Sequence, residues 1–187
     1  MILNQQSRAR VDLAAARDLV ARLRRILGLG KRSFSVCFVD DDRIAELNRD
    51  FRGERRATDV LSFPWQDSKP SVPSAHAAPG VGPAGLDGFL GDVIISVETA
   101  RRNADAEGHA LGREINWLIL HGLLHLLGMD HERDNGEMVA LEYDLRARLG
   151  LDGGAGELGN PKEGRNRRSH LRRGHKLPRP QRKRTVD

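Results

Sequence analysis

At 187 residues the chain is long enough for one domain with a sizeable core and an additional tail. With 39% hydrophobic and 30% charged residues its composition is that of a globular domain, and a single cysteine, Cys37, excludes an internal disulfide. The longest apolar run, residues 117–129, is shorter than the roughly 20 residues that span a bilayer, and the first residues show no signal-peptide pattern. We therefore expect a cytoplasmic protein with no membrane segment and no disulfide partner.

The net charge of +5 is distributed unevenly along the chain. Residues 161–187 contain eleven Lys and Arg against two acidic residues, which gives this segment +9 and leaves −4 for residues 1–160. The segment also lacks periodic apolar residues, so it cannot bury enough surface to fold. We predict a folded domain over residues 1–155 and a basic, disordered tail over residues 156–187, and we expect the tail to attract RNA phosphates without reading bases.

Apolar periodicity predicts an α+β domain, with a small mixed sheet packed with helices around a central buried helix. The predicted order is a helix over 11–27, a strand over 33–39, a short helix capped by the acids at 40–42, strands over 57–64 and 90–96, a helix over 97–106 with Ser96 as its cap, a long apolar helix that ends before Gly128, and a helix over 136–149. Residues 66–88, rich in Pro, Gly, Ser and Ala, are expected to form a long loop.

The apolar helix carries two histidines, His121 and His125, in the segment HGLLHLLGMDH at residues 121–131. Residues four apart lie on the same helical face, so both imidazoles point at one place. Gly128 is suited to the left-handed conformation that ends a helix, after which the chain can return His131 to the same place. One histidine in an apolar helix is usually a core residue, but three around a helix stop predict a metal site. Three neutral imidazoles with a fourth position open is the ligand set of a catalytic zinc, and we predict one Zn²⁺ per chain.

The spacing of these histidines and Gly128 matches the metzincin proteases, whose motif is H-E-x-x-H-x-x-G-x-x-H. In those enzymes the glutamate after the first histidine is the general base. Gly122 occupies that position here, which makes a peptidase-like zinc hydrolase the weaker interpretation. A third interpretation is a non-catalytic ribosome assembly factor with a structural zinc. Such a site would need a fourth protein ligand, usually a cysteine, and Cys37 is far from the motif in sequence.

Four segments occur in a fixed order: LNRDFRG at 47–53, TDVLSFP at 58–64, LGD at 90–92 and HGLLHLLGMDH at 121–131. Together they resemble the YbeY family of bacterial single-strand-specific endoribonucleases, also called rRNA maturation factors, over about residues 33–150. The resemblance implies a zinc ion held by the three histidines of the last segment and a functional arginine at Arg52. It also implies single-stranded RNA and rRNA precursors as substrates, and small-subunit ribosomal particles as partners, in rRNA maturation and ribosome quality control.

The sequence departs from the family pattern in three places. Met129 stands where tyrosine is common, a change in the turn that should leave the metal ligands untouched. The loop over residues 66–88 is longer than usual, which leaves its substrate contacts open. The basic tail is not part of the shared pattern, so its role is argued from charge alone.

The chemistry of RNA cleavage agrees with these residues. Zinc can lower the pKa of bound water to about 7 and act as a Lewis acid on a phosphoryl oxygen. The attacking group is either that water or the neighbouring 2′-hydroxyl. A guanidinium can pair with two phosphate oxygens at once, so Arg52 and the zinc ligand His121 are the catalytic candidates. Asp59 and Asp130 could orient a ligand imidazole from behind. We expect Trp117 to lie in the core rather than to stack on RNA bases.

Overall fold

The computed structural model of the chain describes residues 1–65, 88–131 and 133–152. Within these ranges the predicted α+β class is confirmed by four strands and five helices. Their bounds are β1 Ile2–Asn4, α1 Leu13–Ile26, β2 Ser33–Val39, α2 Asp41–Arg52, β3 Val60–Pro64, β4 Phe89–Ser96, α3 Val97–Glu107, α4 Leu111–Leu126 and α5 Glu137–Leu149. Residues 66–87 of the predicted loop and the whole predicted tail lie outside the described residues. None of the helices just named has the length and apolar character to cross a bilayer.

The four strands form one mixed sheet in the order β1-β2-β4-β3. β1 and β4 both run parallel to β2, whereas β3 is antiparallel to β4. Strand β1 was not predicted from the sequence, because three residues are too few to show a strand period. β1 forms because Ile2 and Leu3 pair with Val36 and Cys37, and such contacts between distant segments leave no local pattern.

The sheet separates two hydrophobic clusters. Along β2, residues such as Phe34 and Phe38 face the larger cluster, which also contains buried side chains of α1, α3, α4 and α5. The alternate residues, including Cys37, face a smaller cluster in which Ile44 and Leu47 of α2 are buried. Cys37 is a buried, unpaired thiol, as predicted. The buried helix α4 therefore lies on the sheet face opposite to α2.

Three helix ends follow from residues that the sequence identified. α2 begins after Asp40, whose Oδ1 accepts a hydrogen bond from the Arg43 amide at 2.9 Å. α3 begins after Ser96, whose hydroxyl oxygen accepts one from the Thr99 amide at 3.2 Å. Just beyond α4, Gly128 adopts a φ of +90°, a conformation that side chains disfavour, and the chain turns back there.

α4 packs tightly on the sheet at Gly122. A Cβ placed on this residue would lie 2.5 Å from Cγ1 of Val93 on β4 and 3.1 Å from the hydroxyl oxygen of Ser62 on β3. The same Ser62 hydroxyl donates a hydrogen bond to the Gly122 carbonyl at 3.2 Å. A side chain at this position would have to push the helix away from the sheet, so glycine sets the depth at which α4 lies.

We expect Gly122→Ala to lower the free energy of unfolding by about 1–3 kcal/mol, because Val93 is short and stiff and cannot move aside. Gly112→Ala is the matched control on the same helix. A Cβ at Gly112 meets open space, so alanine should leave stability unchanged or raise it by up to about 1 kcal/mol through its better helix propensity. Urea unfolding measures both variants, and equal effects would contradict the close contact at Gly122.

Candidate metal centre

Three histidines converge at the C-terminal end of α4. His121 and His125 lie on its last two turns, and His131 follows the turn at Gly128. One potential ligand atom from each lies within 4.8 Å of the others. The ring centroids are 4.7 Å apart for the two helical histidines, and His131 is 5.3 Å from His121 and 5.2 Å from His125. The structure thus brings together the three residues that the sequence proposed as ligands.

Two of the three rings are oriented by acceptors outside the cluster. Nδ1 of His121 lies 3.2 Å from the carboxylate oxygen Oε2 of Glu142. Nδ1 of His125 lies 2.9 Å from the carbonyl oxygen of Met129. An ionised carboxylate and a carbonyl can only accept hydrogen bonds, so in the neutral form of each ring Nδ1 carries the proton and Nε2 carries the lone pair.

The Nε2 atoms of His121 and His125 face each other at 3.1 Å. Two lone pairs at this distance repel, and a cation bound to both removes the repulsion. Tetrahedral zinc with Zn–N bonds of about 2.0–2.1 Å would separate two ligand nitrogens by about 3.3 Å, close to the distance found. In addition, Nδ1 of His131 is buried and has no hydrogen-bond partner among the described residues. The donor set therefore fits a metal ion held by these three histidines.

The electrostatics of the site favour a neutral His125 imidazole and an ionised Glu142 carboxylate. Burial, followed by the charges of His121 and His131, lowers the pKa of His125 to about 4. Burial raises the pKa of Glu142, but the hydrogen bonds and charges of His121 and Arg146 outweigh this effect and hold that pKa below its usual range. Metal binding needs deprotonated imidazoles, and a carboxylate behind one of them increases its basicity.

Arg52, the predicted catalytic arginine, is the last residue of α2 and is exposed. Its neighbour Phe51 packs edge-on against Phe63 of β3, with ring centroids 4.8 Å apart, which fixes this end of the helix on the sheet. Within the described part of the chain, no hydrogen bond or ion pair joins Arg52 to the three histidines. The described residues therefore do not join Arg52 to the candidate metal centre, and its catalytic role stays a prediction.

Asp59 and Asp130 lie in different surroundings. Asp59 accepts hydrogen bonds from the Val60 amide at 2.8 Å and from the Asn103 side chain at 3.2 Å, and its partners do not include the histidines. Asp130 directly precedes the third histidine and forms an ion pair with Arg133 at 3.2 Å. The orienting roles expected of these two aspartates stay predictions.

Glu142, which does contact a histidine, was missed by the sequence analysis. It lies on the buried stripe of α5, between Met138 and Leu145. Glutamate is rarely buried unless it has a partner. The available signal was therefore an acid within the apolar stripe of an amphipathic helix, four residues before Arg146.

The fold and the three histidines define an α+β domain with a candidate metal centre. Residues 1–150 match the family described as Endoribonuclease YbeY, and the chain belongs to this family. Endoribonuclease YbeY of Moorella thermoacetica is 41% identical over 160 residues, covering 80% of this chain and 96% of that protein. The protein of the same name from Nautilia profundicola is 43% identical over 123 residues, covering 66% of this chain and 76% of its own length. The resemblance inferred from four segments is confirmed, and the family match also includes the N-terminal residues.

The same fold is found in a solution structure of a protein from Thermotoga maritima. The two structures have a TM-score of 0.50 and 24% sequence identity, and the match covers 84% of this chain and 99% of that chain. At this level of identity the likeness concerns the fold alone.

The lowered pKa of His125 predicts that the metal-free protein is acid-sensitive. Between pH 6.5, the ordinary pKa, and about pH 4, the pKa in the fold, the unfolded chain binds a proton that the folded chain does not. The contribution of His125 to stability is therefore complete above about pH 6.5 and is lost as the pH falls toward 4. His125→Asn removes the titrating group, while its side-chain amide nitrogen can still donate to the Met129 carbonyl. This variant should therefore lose less stability than the wild type over the same pH range.

Glu114 also makes the stability depend on pH, so the effect of His125 must be measured by comparing the wild type with His125→Asn. Burial, and then the charge of Asp59, raises the pKa of Glu114 from 4.5 to about 7. Its contribution to stability is complete at low pH and is lost as the pH rises through that range, which is opposite in sign to that of His125. Urea unfolding of both proteins at several pH values, with a chelator present, separates the two effects. Identical dependence of stability on pH for the wild type and His125→Asn would contradict the lowered pKa of His125.

Proposed function

We propose that this chain is a zinc-dependent, single-strand-specific endoribonuclease that acts in rRNA maturation and ribosome quality control in the cytoplasm. One observation carries the proposal: three convergent histidines occur in a chain that belongs to a family named for endoribonuclease activity. The relatives carry the same name, which supports RNA as the substrate. Zinc, the rRNA precursor and the small-subunit particle are the finer parts of the proposal, and they rest on the ligand chemistry and on the family resemblance.

The residues of the site divide into those that hold the metal and those that orient them. His121, His125 and His131 would bind the zinc, with Glu142 and the Met129 carbonyl fixing two of the rings from behind. A bound zinc supplies Lewis acidity toward a phosphoryl oxygen and lowers the pKa of water. These two acceptors favour the tautomer with the proton on Nδ1, so that both hydrogen-bonded rings present Nε2 toward the centre of the cluster.

Arg52 would bind the RNA phosphate. Its exposed position at the end of α2 supports this role, because a guanidinium that is not paired with a carboxylate among the described residues can form two parallel hydrogen bonds to phosphate oxygens. Such a fixed cation stabilises the charge that develops on phosphorus during cleavage.

The contact at Gly122 argues against a peptidase. A glutamate in that position, which the metzincin mechanism requires, would need space that Val93 and Ser62 already occupy. The surroundings of the cluster also argue against a closed structural zinc. Among the described residues the group contains three ligands, and Cys37 is buried in the cluster on the opposite face of the sheet.

Metal analysis combined with RNA cleavage tests the proposal. We expect about one zinc per chain in the wild type, together with cleavage of single-stranded but not of duplex RNA. The variants His121→Ala, His125→Ala and His131→Ala should lose both metal and activity, because two imidazoles cannot replace three. Unchanged metal content in all three variants would refute the site. Cleavage of an unstructured peptide, but not of RNA, would support the peptidase instead.

Arg52→Lys should retain the fold and the metal but cleave RNA about 10²–10³-fold more slowly, since lysine keeps the charge and loses the two-pronged geometry. Arg55→Lys is the matched control, because Arg55 is exposed in the turn that follows α2. Single-turnover cleavage rates at equal zinc content measure the effect. Equal rates for Arg52→Lys and the wild type would leave Arg52 as a solvated surface charge.

The basic tail is proposed to be an RNA-binding arm of the 1–155 domain. Residues 161–187 carry +9 and the preceding residues −4, so the tail supplies the attraction for a polyanion. A chain that ends at Gly159 should keep its zinc and its cleavage chemistry but bind RNA more weakly and with a flatter dependence on salt. RNA titrations of both proteins at several salt concentrations decide the matter, and parallel salt slopes would exclude the arm.

A further inference from the structure

A closed set of four side chains connects α4 to α5 beside the histidine cluster. Trp117 and His121 lie one turn apart on α4, and Glu142 and Arg146 lie one turn apart on α5. Because residues four apart share a helical face, each helix presents a pair to the other. We refer to Trp117, Glu142 and Arg146 as the clamp.

Both carboxylate oxygens of Glu142 are engaged within this set. Oε2 faces Nδ1 of His121 at 3.2 Å, and Oε1 accepts a hydrogen bond from Nη2 of Arg146. The side chain of Glu142 is 12% exposed and those of His121 and Arg146 are 16% exposed, so water competes weakly for these contacts. A carboxylate held by a different donor on each oxygen cannot rotate, and it therefore fixes the plane of the imidazole.

Arg146 is itself held by α4. The central carbon of its guanidinium lies 4.3 Å from the centroid of the Trp117 ring, within the range of a cation–π contact. Trp117 thus holds Arg146, Arg146 holds Glu142, and Glu142 holds His121. The connection begins and ends on the same helix, although its two middle members are on α5.

The clamp is costly to maintain, which indicates a role beyond stability. Nε of Arg146 and Nε1 of Trp117 are buried without a hydrogen-bond partner among the described residues. Each such atom costs about 1–3 kcal/mol, and a buried ion pair often contributes no more to stability than apolar side chains of the same volume. Apolar residues at positions 117, 142 and 146 would pack α5 on α4 without this cost, but they would not orient His121.

We propose that Trp117 and Arg146 are positioning residues for the metal ligand His121, acting through Glu142, so that metal binding and the docking of α5 on α4 stabilise each other. The inference rests on the metal centre of the proposed function. The coupling is reciprocal: if the clamp raises metal affinity, bound metal must also hold α5 more firmly. Side chains that orient a metal-bound imidazole from behind typically contribute about 10–100-fold in metal affinity.

Zinc affinity, measured on the full chain by competition with a chromophoric chelator, tests the proposal without reference to RNA cleavage. Glu142→Gln keeps the shape of the side chain but leaves one oxygen to serve two donors, and Arg146→Met removes the guanidinium. Both variants should bind zinc about 10–100-fold more weakly. Arg148→Met is the matched control on α5, because Arg148 pairs with Asp144 in an exposed ion pair, and its affinity should stay within about twofold of the wild type.

A double variant tests whether Arg146 acts through Glu142. If it does, Glu142→Gln with Arg146→Met should lose much less affinity than the product of the two single losses. A loss equal to that product would mean that Arg146 acts by another route, and it would overturn the proposal. Trp117→Leu provides a further variant should Arg146→Met fail to fold, with the expectation of a smaller loss in the same direction.

Hydrogen exchange of the α5 amides supplies a readout that a purely structural clamp would not change. Zinc should slow exchange in α5 of the wild type and should do so much less in Arg146→Met. Wild-type zinc affinity in a folded Arg146→Met would overturn the inference while leaving the metal centre intact. Failure of the wild type to bind zinc would overturn both, whereas zinc binding without RNA cleavage would refute only the nuclease.

Discussion

The contact between α4 and the sheet at Gly122 determines where the candidate metal centre lies. With only a hydrogen atom between the helix backbone and Val93, the Ser62 hydroxyl can reach the helix carbonyl, and α4 lies directly on β3 and β4. The helix is apolar on nearly every side, so its depth in the core is fixed by packing rather than by polar contacts. His121 and His125 flank this buried glycine and are carried to a fixed position beside the sheet.

A buried helix that presents imidazoles must find hydrogen-bond acceptors on other elements, because its own carbonyls are used in the helix. The turn after α4 supplies the Met129 carbonyl for His125, and α5 supplies the Glu142 carboxylate for His121. Each acceptor receives a hydrogen bond from the Nδ1–H of its ring, which leaves Nε2 facing the cluster. The orientation of the candidate ligands therefore depends on tertiary packing as much as on the spacing of the motif.

The sequence predicted those features that are encoded locally. The spacing of His121 and His125, the stop at Gly128 and the caps at Asp40 and Ser96 each act within one or two turns of chain, and each was found where it was predicted. Features that depend on distant segments were missed. β1 exists because of its pairing with β2, and Glu142 contacts a histidine 21 residues earlier in the chain. The need for glycine at position 122 likewise depends on its contact with Val93 of β4, a residue distant in sequence.

The absence of an acid at position 122 has a chemical consequence for the choice of substrate. A peptide bond carries no nucleophile of its own, so a zinc peptidase needs a protein base beside the metal to activate water. RNA carries a 2′-hydroxyl next to each cleavable phosphate, and whether that hydroxyl or water attacks, the protein must stabilise charge on the phosphoryl oxygens. In the proposed site, a cation bound by the three imidazoles and the exposed Arg52 would meet that demand. The packing that excludes glutamate at position 122 thus disfavours the chemistry of a peptidase while remaining compatible with that of a ribonuclease.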